Sequence, residues 1–66
     1  MNIREFRATA ELSVAAFALK CGLTRQSIYN YEGGRTEPTL YTAILINEAS
    51  GGLISFRDML LSTVEA

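Results

Sequence analysis

Arg25, Gln26, Tyr29 and Asn30 fall within one short stretch, TRQSIYNYE, over Thr24–Glu32. Wound as a helix, residues 25–32 put Ile28 and Tyr31 on one side and Gln26 and Asn30 nearly opposite, flanked by Arg25 and Tyr29. Guanidinium and carboxamide groups carry paired donors and acceptors that match the edges of guanine and adenine. Arg25 and Gln26 would occupy the first turn, the end of a reading helix that usually reaches deepest into a major groove. Around them stand short donors suited to phosphate oxygens: Ser13, Thr24, Ser27, the amides of Gly33 and Gly34, Arg35 and Thr36. Arg, Gln and Asn on a solvated helix face are common, and taken alone they mark only solvent. An exposed Tyr29 beside them is less routine.

The elements that must position this face can be read from caps and periodicity. Asn2, with Glu5 three residues on, has the form of a capping box, so a first helix covers about residues 3–11 with Ile3, Phe6 and Ala10 inward. Ser13 caps a second helix, Val14 to Cys21, burying Phe17, Ala18 and Cys21, and Gly22 ends it in the left-handed conformation. Leu23 plugs the turn, and Thr24 caps the third helix, about Arg25 to Glu32. Two glycines and Pro38 make residues 32–38 a loop. Thr39 caps a fourth helix, about Leu40 to Ala49, with Leu40, Ala43, Ile44 and Asn47 on one side, closed by Ser50-Gly51-Gly52. A Ser55–Asp58 capping box opens a fifth helix over about residues 56–62. A short β-hairpin through Leu53-Ile54-Ser55-Phe56 is the rival for that end. The expected fold is all-α: one compact five-helix domain over residues 1–66, with a helix-turn-helix at helices two and three, about residues 13–32.

Composition narrows the chemistry. Sixty-six residues are expected to make one domain, and no separate effector or catalytic unit is expected within them. Histidine is absent and Cys21 is the only cysteine. A zinc site, a histidine-based triad and an internal disulfide are therefore out of reach within one chain. No metal, cofactor or small-molecule ligand is expected, and no nucleophile–base constellation supports an enzyme. Cys21, inward on its helix, reads as packed core rather than a redox sensor. No apolar run approaches the roughly 20 residues of a membrane span, and the charged N-terminus is not a secretory signal. The net charge of −1 weighs against a nucleic-acid partner. Its distribution does not: residues 1–36 hold Arg4, Arg7, Lys20, Arg25 and Arg35 against Glu5, Glu11 and Glu32. The acidic excess lies beyond residue 36, so the candidate reading helix sits in the basic half.

A tight inter-helix turn needs a small residue at 18, glycine at 22, an aliphatic plug at 23 and a branched apolar residue at 28. Ala18, Gly22, Leu23 and Ile28 comply. Arg7 precedes Leu12-Ser13; Ile28, Tyr31, Glu32 and Gly34 echo an "I-x-x-W-E-x-G" pattern; Pro38-Thr39-Leu40 echoes "P-S-L". Over roughly Ile3 to Leu60 the chain resembles the Cro and phage-repressor (Xre-type) helix-turn-helix regulators. The resemblance implies base reading by Arg25, Gln26 and Asn30, with Ser27 and Tyr29 as auxiliaries. It also implies a partly buried structural ion pair between Arg7 and Glu32. Two positions depart from the pattern. Val14 replaces a Gln that contacts phosphate, which shifts positioning toward Ser13 and the 33–35 loop. Glu11 stands where Gly is typical, which suggests a tighter continuation of the first helix.

The apolar residues Leu53, Ile54, Phe56, Met59, Leu60, Leu61 and Val64 exceed what one face of a short helix needs. Residues about 53–64 are therefore expected to form a symmetric dimer interface, with Leu53, Ile54, Phe56, Met59 and Leu60 at its centre. The expected function is a sequence-specific DNA-binding transcriptional regulator, a small Cro-like or autoregulatory repressor bound to an inverted repeat of double-stranded operator DNA as a homodimer. Its setting would be the cytoplasm of a bacterial or phage-infected cell, on the nucleoid. The alternative is an antitoxin-like interaction module that masks a partner protein, favoured by the acidic, apolar C-terminal half.

Overall fold

Each of the first four helices begins at a side chain that accepts from a backbone N–H three residues on: Asn2, Ser13, Thr24 and Thr39. A helix start leaves amides without partners, and these caps fix where each helix begins. The computed structural model describes residues 1–59. Its helices are α1 (Ile3–Ala10), α2 (Val14–Cys21), α3 (Arg25–Glu32), α4 (Leu40–Ala49) and α5 (Phe56–Met59). Among the described residues there is no strand, so the hairpin alternative near residue 54 is not formed. Both capping boxes are present, Asn2 with Glu5 and Ser55 with Asp58. Asp58 also accepts from the Met1 ammonium at 2.8 Å. These contacts hold its carboxyl below the usual range, the Met1 bond most of all.

All five helices contribute to one core: Ile3, Phe6, Val14, Phe17, Ala18, Cys21, Ile28, Ala43, Ile46 and Met59, with Ile54 from the turn before α5. Phe6 and Phe17 meet with ring centroids 5.6 Å apart, tilted by 53°. Phe17, Ile28, Ile46 and Ile54 are sealed from solvent. Each such side chain stabilises the fold by roughly 1.5–3 kcal/mol relative to exposure. Cys21 lies in the core, and burial pushes its thiol up to about 11, so it stays protonated at neutral pH.

Three expectations about faces need correction. Ala10 is exposed, because α1 ends there and only Ile3 and Phe6 of that helix reach the core. Glu11 does not continue the helix; it caps the end in the left-handed conformation, φ 57° and ψ 44°, as a glycine would. On α4 the inward residues are Ala43 and Ile46, while Leu40 and Ile44 are exposed. This helix is apolar nearly all round, so its periodicity does not set its rotation. Hydrogen bonds beyond its end do. Asn47 donates to the Ile54 carbonyl at 2.9 Å, and the buried Ser50 hydroxyl accepts from the Ile54 amide at 3.0 Å. Those bonds pull Ile54 inward beneath α4.

The same geometry corrects the proposed dimer centre. Ile54 and Met59 are buried within their own chain and are not available to a second copy. Leu53 and Phe56 stay 56% and 44% exposed. Leu60, Leu61 and Val64, with the end of the predicted fifth helix, lie outside the described residues.

Glu11 is the one non-glycine residue with positive φ among the described residues. A side chain there costs roughly 1–2 kcal/mol, and glycine returns part of this as unfolded-state entropy. Glu11→Gly is expected to raise stability by about 0.5–1 kcal/mol, measured by urea denaturation with an unchanged m-value.

Candidate nucleic-acid interface

A polar helix orients by the few apolar side chains it can bury, and α3 turns two inward. Ile28 is sealed in the core and Tyr31 packs against its rim, which turns the other side of α3 to solvent. Arg25, Gln26 and Tyr29 are exposed and Asn30 is half-buried. The four residues assigned to base reading therefore stand on one accessible side, as expected. They are not independent. Gln26 Nε2 donates to Asn30 Oδ1 at 3.1 Å, an i to i+4 bond linking both carboxamides. Gln26 keeps a carbonyl oxygen and one N–H, the pattern that matches an adenine edge.

The far end of α3 is held by charge. Arg7 Nε donates to Glu32 Oε2 at 2.5 Å, and Nη2 donates to Oε1 at 3.0 Å. Its remaining Nη1 donates to the Leu12 carbonyl at 3.1 Å. The Glu32 side chain is only 4% exposed. The carboxylate raises the Arg7 guanidinium further above its ordinary value, with the hydrogen bond as the main cause. The expected structural pair is thus present as a bidentate fork.

The residues expected to position the backbone divide into two groups. Ser13 Oγ accepts from the Ala16 amide at 3.0 Å, which leaves its hydroxyl proton for an outside acceptor. Thr24 Oγ1 accepts from the Ser27 amide and donates to Ser27 Oγ, so the outward proton of that pair is the one on Ser27. Arg35 and Thr36 are exposed on the loop. The Gly33 and Gly34 amides are different, and here the expectation is corrected. Gly33 N donates to the Tyr29 carbonyl at 2.9 Å and Gly34 N to that of Tyr31 at 3.3 Å. Closing the end of α3 consumes both donors, so neither is left for a phosphate.

One exposed cation had no role in the sequence. Arg4 lies on α1 with its Nε 3.8 Å from Glu32 Oε1, and it lines an open groove of about 400 Å³ with Gln26, Tyr29, Glu32, Gly33 and Arg35. Nothing in linear spacing separates Arg4 from any other charged residue in a first helix turn. Only the crossing of α1 and α3 brings it beside the reading face.

Two helices joined by the Gly22 turn, the second presenting guanidinium and carboxamide groups, agree with a family-level match. A model of helix-turn-helix proteins of the Xre/Cro type covers residues 3–51. The chain belongs to this helix-turn-helix family. No curated protein and no solved structure matches it. As a helix-turn-helix protein it is a DNA-binding regulator. Among the described residues, no helix is long and apolar enough to cross a membrane.

Removing Arg7 would strand a buried carboxylate. Arg7→Ala is expected to cost about 3 kcal/mol in urea unfolding, while the paired change Arg7→Met with Glu32→Gln costs clearly less. Equal losses in the single and paired variants would show that the Glu32 charge is not what the pair neutralises.

Proposed function

We propose that this helix-turn-helix regulator is a small repressor of Cro-like or autoregulatory type, which binds an inverted-repeat operator as a homodimer. The observation that carries the reading is the outward grouping of Arg25, Gln26, Tyr29 and Asn30 over a buried Ile28. In this reading Arg25, Gln26 and Asn30 touch base edges and Tyr29 assists. Ser13, Ser27, Arg35 and Thr36 hold the phosphates, while Thr24 acts through Ser27. The setting is the nucleoid of a bacterial or phage-infected cell. Leu53 and Phe56, the exposed members of the apolar C-terminal group among the described residues, form the centre of the contact between copies. A two-fold dimer presents two reading helices to half-sites about one helical turn apart, and this offsets the weak electrostatics of a chain with net charge −1.

The exposed Leu40 and Tyr41 on α4 favour a second reading, an antitoxin-like module that covers a protein partner. A stoichiometric protein complex combined with no DNA shift at low salt would select it.

Selection of duplexes from a random pool is expected to return a palindromic consensus. On that consensus, Arg25→Ala and Gln26→Ala should each cost about 1–3 kcal/mol and relax preference at one position, whereas Arg35→Ala weakens all sequences alike. Equal losses on operator and random DNA for all three variants would contradict these roles. For the dimer, Phe56→Glu should shift the sedimentation profile toward monomer and lower operator affinity without unfolding the chain. A wild-type profile that is monomeric both free and on operator would remove the dimer.

A further inference from the structure

The groove between α1 and the C-terminal end of α3 shares two side chains, Gln26 and Tyr29, with the reading face. Whatever lies along that face must pass over the groove mouth. Its lining includes the exposed Arg4 and Arg35 and the nearly buried side chain of Glu32. A carboxylate there would ordinarily repel an anion. This one is 4% exposed and engaged by both Arg7 hydrogen bonds, so its charge is already matched and screened from the mouth. Arg4 is consequently surplus. It is 73% exposed, and its 3.8 Å approach to Glu32 is too long for a hydrogen bond, which leaves its guanidinium donors for another partner.

Arg35 lines the same groove beside Gly33. A Cβ built at Gly33 would lie 3.9 Å from Arg35 Cγ and 4.0 Å from its Nε, so the Arg35 stem runs back across this residue. Gly33 has φ −83°, an ordinary value, and the tight neighbour of a Cβ there would be the Tyr29 carbonyl oxygen at 3.3 Å, with Arg35 at ordinary contact distance. The chain has only six basic residues and a net charge of −1. Two exposed guanidiniums on one groove, above a neutralised carboxylate, form a local positive site within an otherwise weak field. Guanidinium forks suit phosphate oxygens, and the Tyr29 hydroxyl adds a neutral donor.

We propose that this groove seats a phosphate of the DNA backbone, held by Arg4 from α1 and Arg35 from the loop after α3. Arg4 is thereby a DNA-contacting residue outside the helix-turn-helix, and it extends the footprint onto the first helix. The proposal rests on the DNA-reading orientation of α3 proposed above and deepens it.

The test uses the full chain, its selected operator and a random duplex in a salt titration. Arg4→Ala should lose affinity on both duplexes alike and lower the slope of log K against log salt by about one. With that slope, a fourfold rise in salt costs the variant about fourfold less affinity than it costs wild type. Arg4→Lys should restore most of the slope. Arg57→Ala removes an equal charge from the exposed side of α5 and should leave the slope unchanged. Ethylation interference should show one phosphate whose modification blocks wild type and is indifferent to Arg4→Ala. A wild-type slope and pattern for Arg4→Ala, or an equal effect from Arg57→Ala, would overturn the phosphate seat alone. Failure of wild type to retain any duplex at low salt would overturn the DNA reading together with it.

Discussion

A single guanidinium ties this small fold together. Arg7 uses two of its donors on Glu32 at the end of α3 and a third on the Leu12 carbonyl in the turn before α2. The turn five residues on and the end of α3, 25 residues on, are thereby fixed to one planar group on α1. Its planarity matters, because a lysine would offer a charge without the fork that sets direction. Ile28 fixes the rotation of α3 from below, and the Arg7–Glu32 pair fixes where that helix ends. Together they leave Arg25, Gln26, Tyr29 and Asn30 on a rigid support, as recognition of base edges requires. A buried ion pair gives little net stability over an apolar replacement. Its value here is geometric: it defines the crossing of α1 on α3.

The same pair shapes the electrostatics. By taking both hydrogen bonds of Glu32 it leaves Arg4 at 3.8 Å from that carboxylate, too far for a hydrogen bond, beside the reading face and on the same groove as Arg35. In a chain with more acidic than basic residues, the arrangement of charge outweighs its total. Most basic residues lie on the first three helices and the loop after them, whereas the acidic excess lies on the C-terminal portion. A duplex approaching from that side would be drawn to the surface carrying α3.

Hydrogen-bond accounting separates residues of similar appearance. Ser13, Thr24, Ser27, Gly33 and Gly34 all looked like phosphate donors in sequence. Ser13 and Ser27 retain an outward proton after capping, but Gly33 and Gly34 close the end of α3 with their amides. An amide can donate once, and a helix terminus claims it first. Likewise Ile54 looked like a surface contact beside Leu53, until Ser50 and Asn47 drew its backbone under α4.

Local physics determined much by itself. Asn2, Ser13, Thr24 and Thr39 fixed the helix starts, Gly22 ended α2, and Ile28 against Gln26 and Asn30 gave α3 its two sides, all within one or two turns of chain. The match of Arg7 to Glu32 was legible through family resemblance. Tertiary structure decided what depends on contacts between distant segments. It set the rotation of α4, whose apolar residues surround it and give periodicity nothing to choose between. It ended α1 at Glu11 in a conformation that a helix-forming residue does not announce. It also brought Arg4 to the groove and Ile54 to the core, because which side of a residue meets solvent is settled by the neighbour that covers the other.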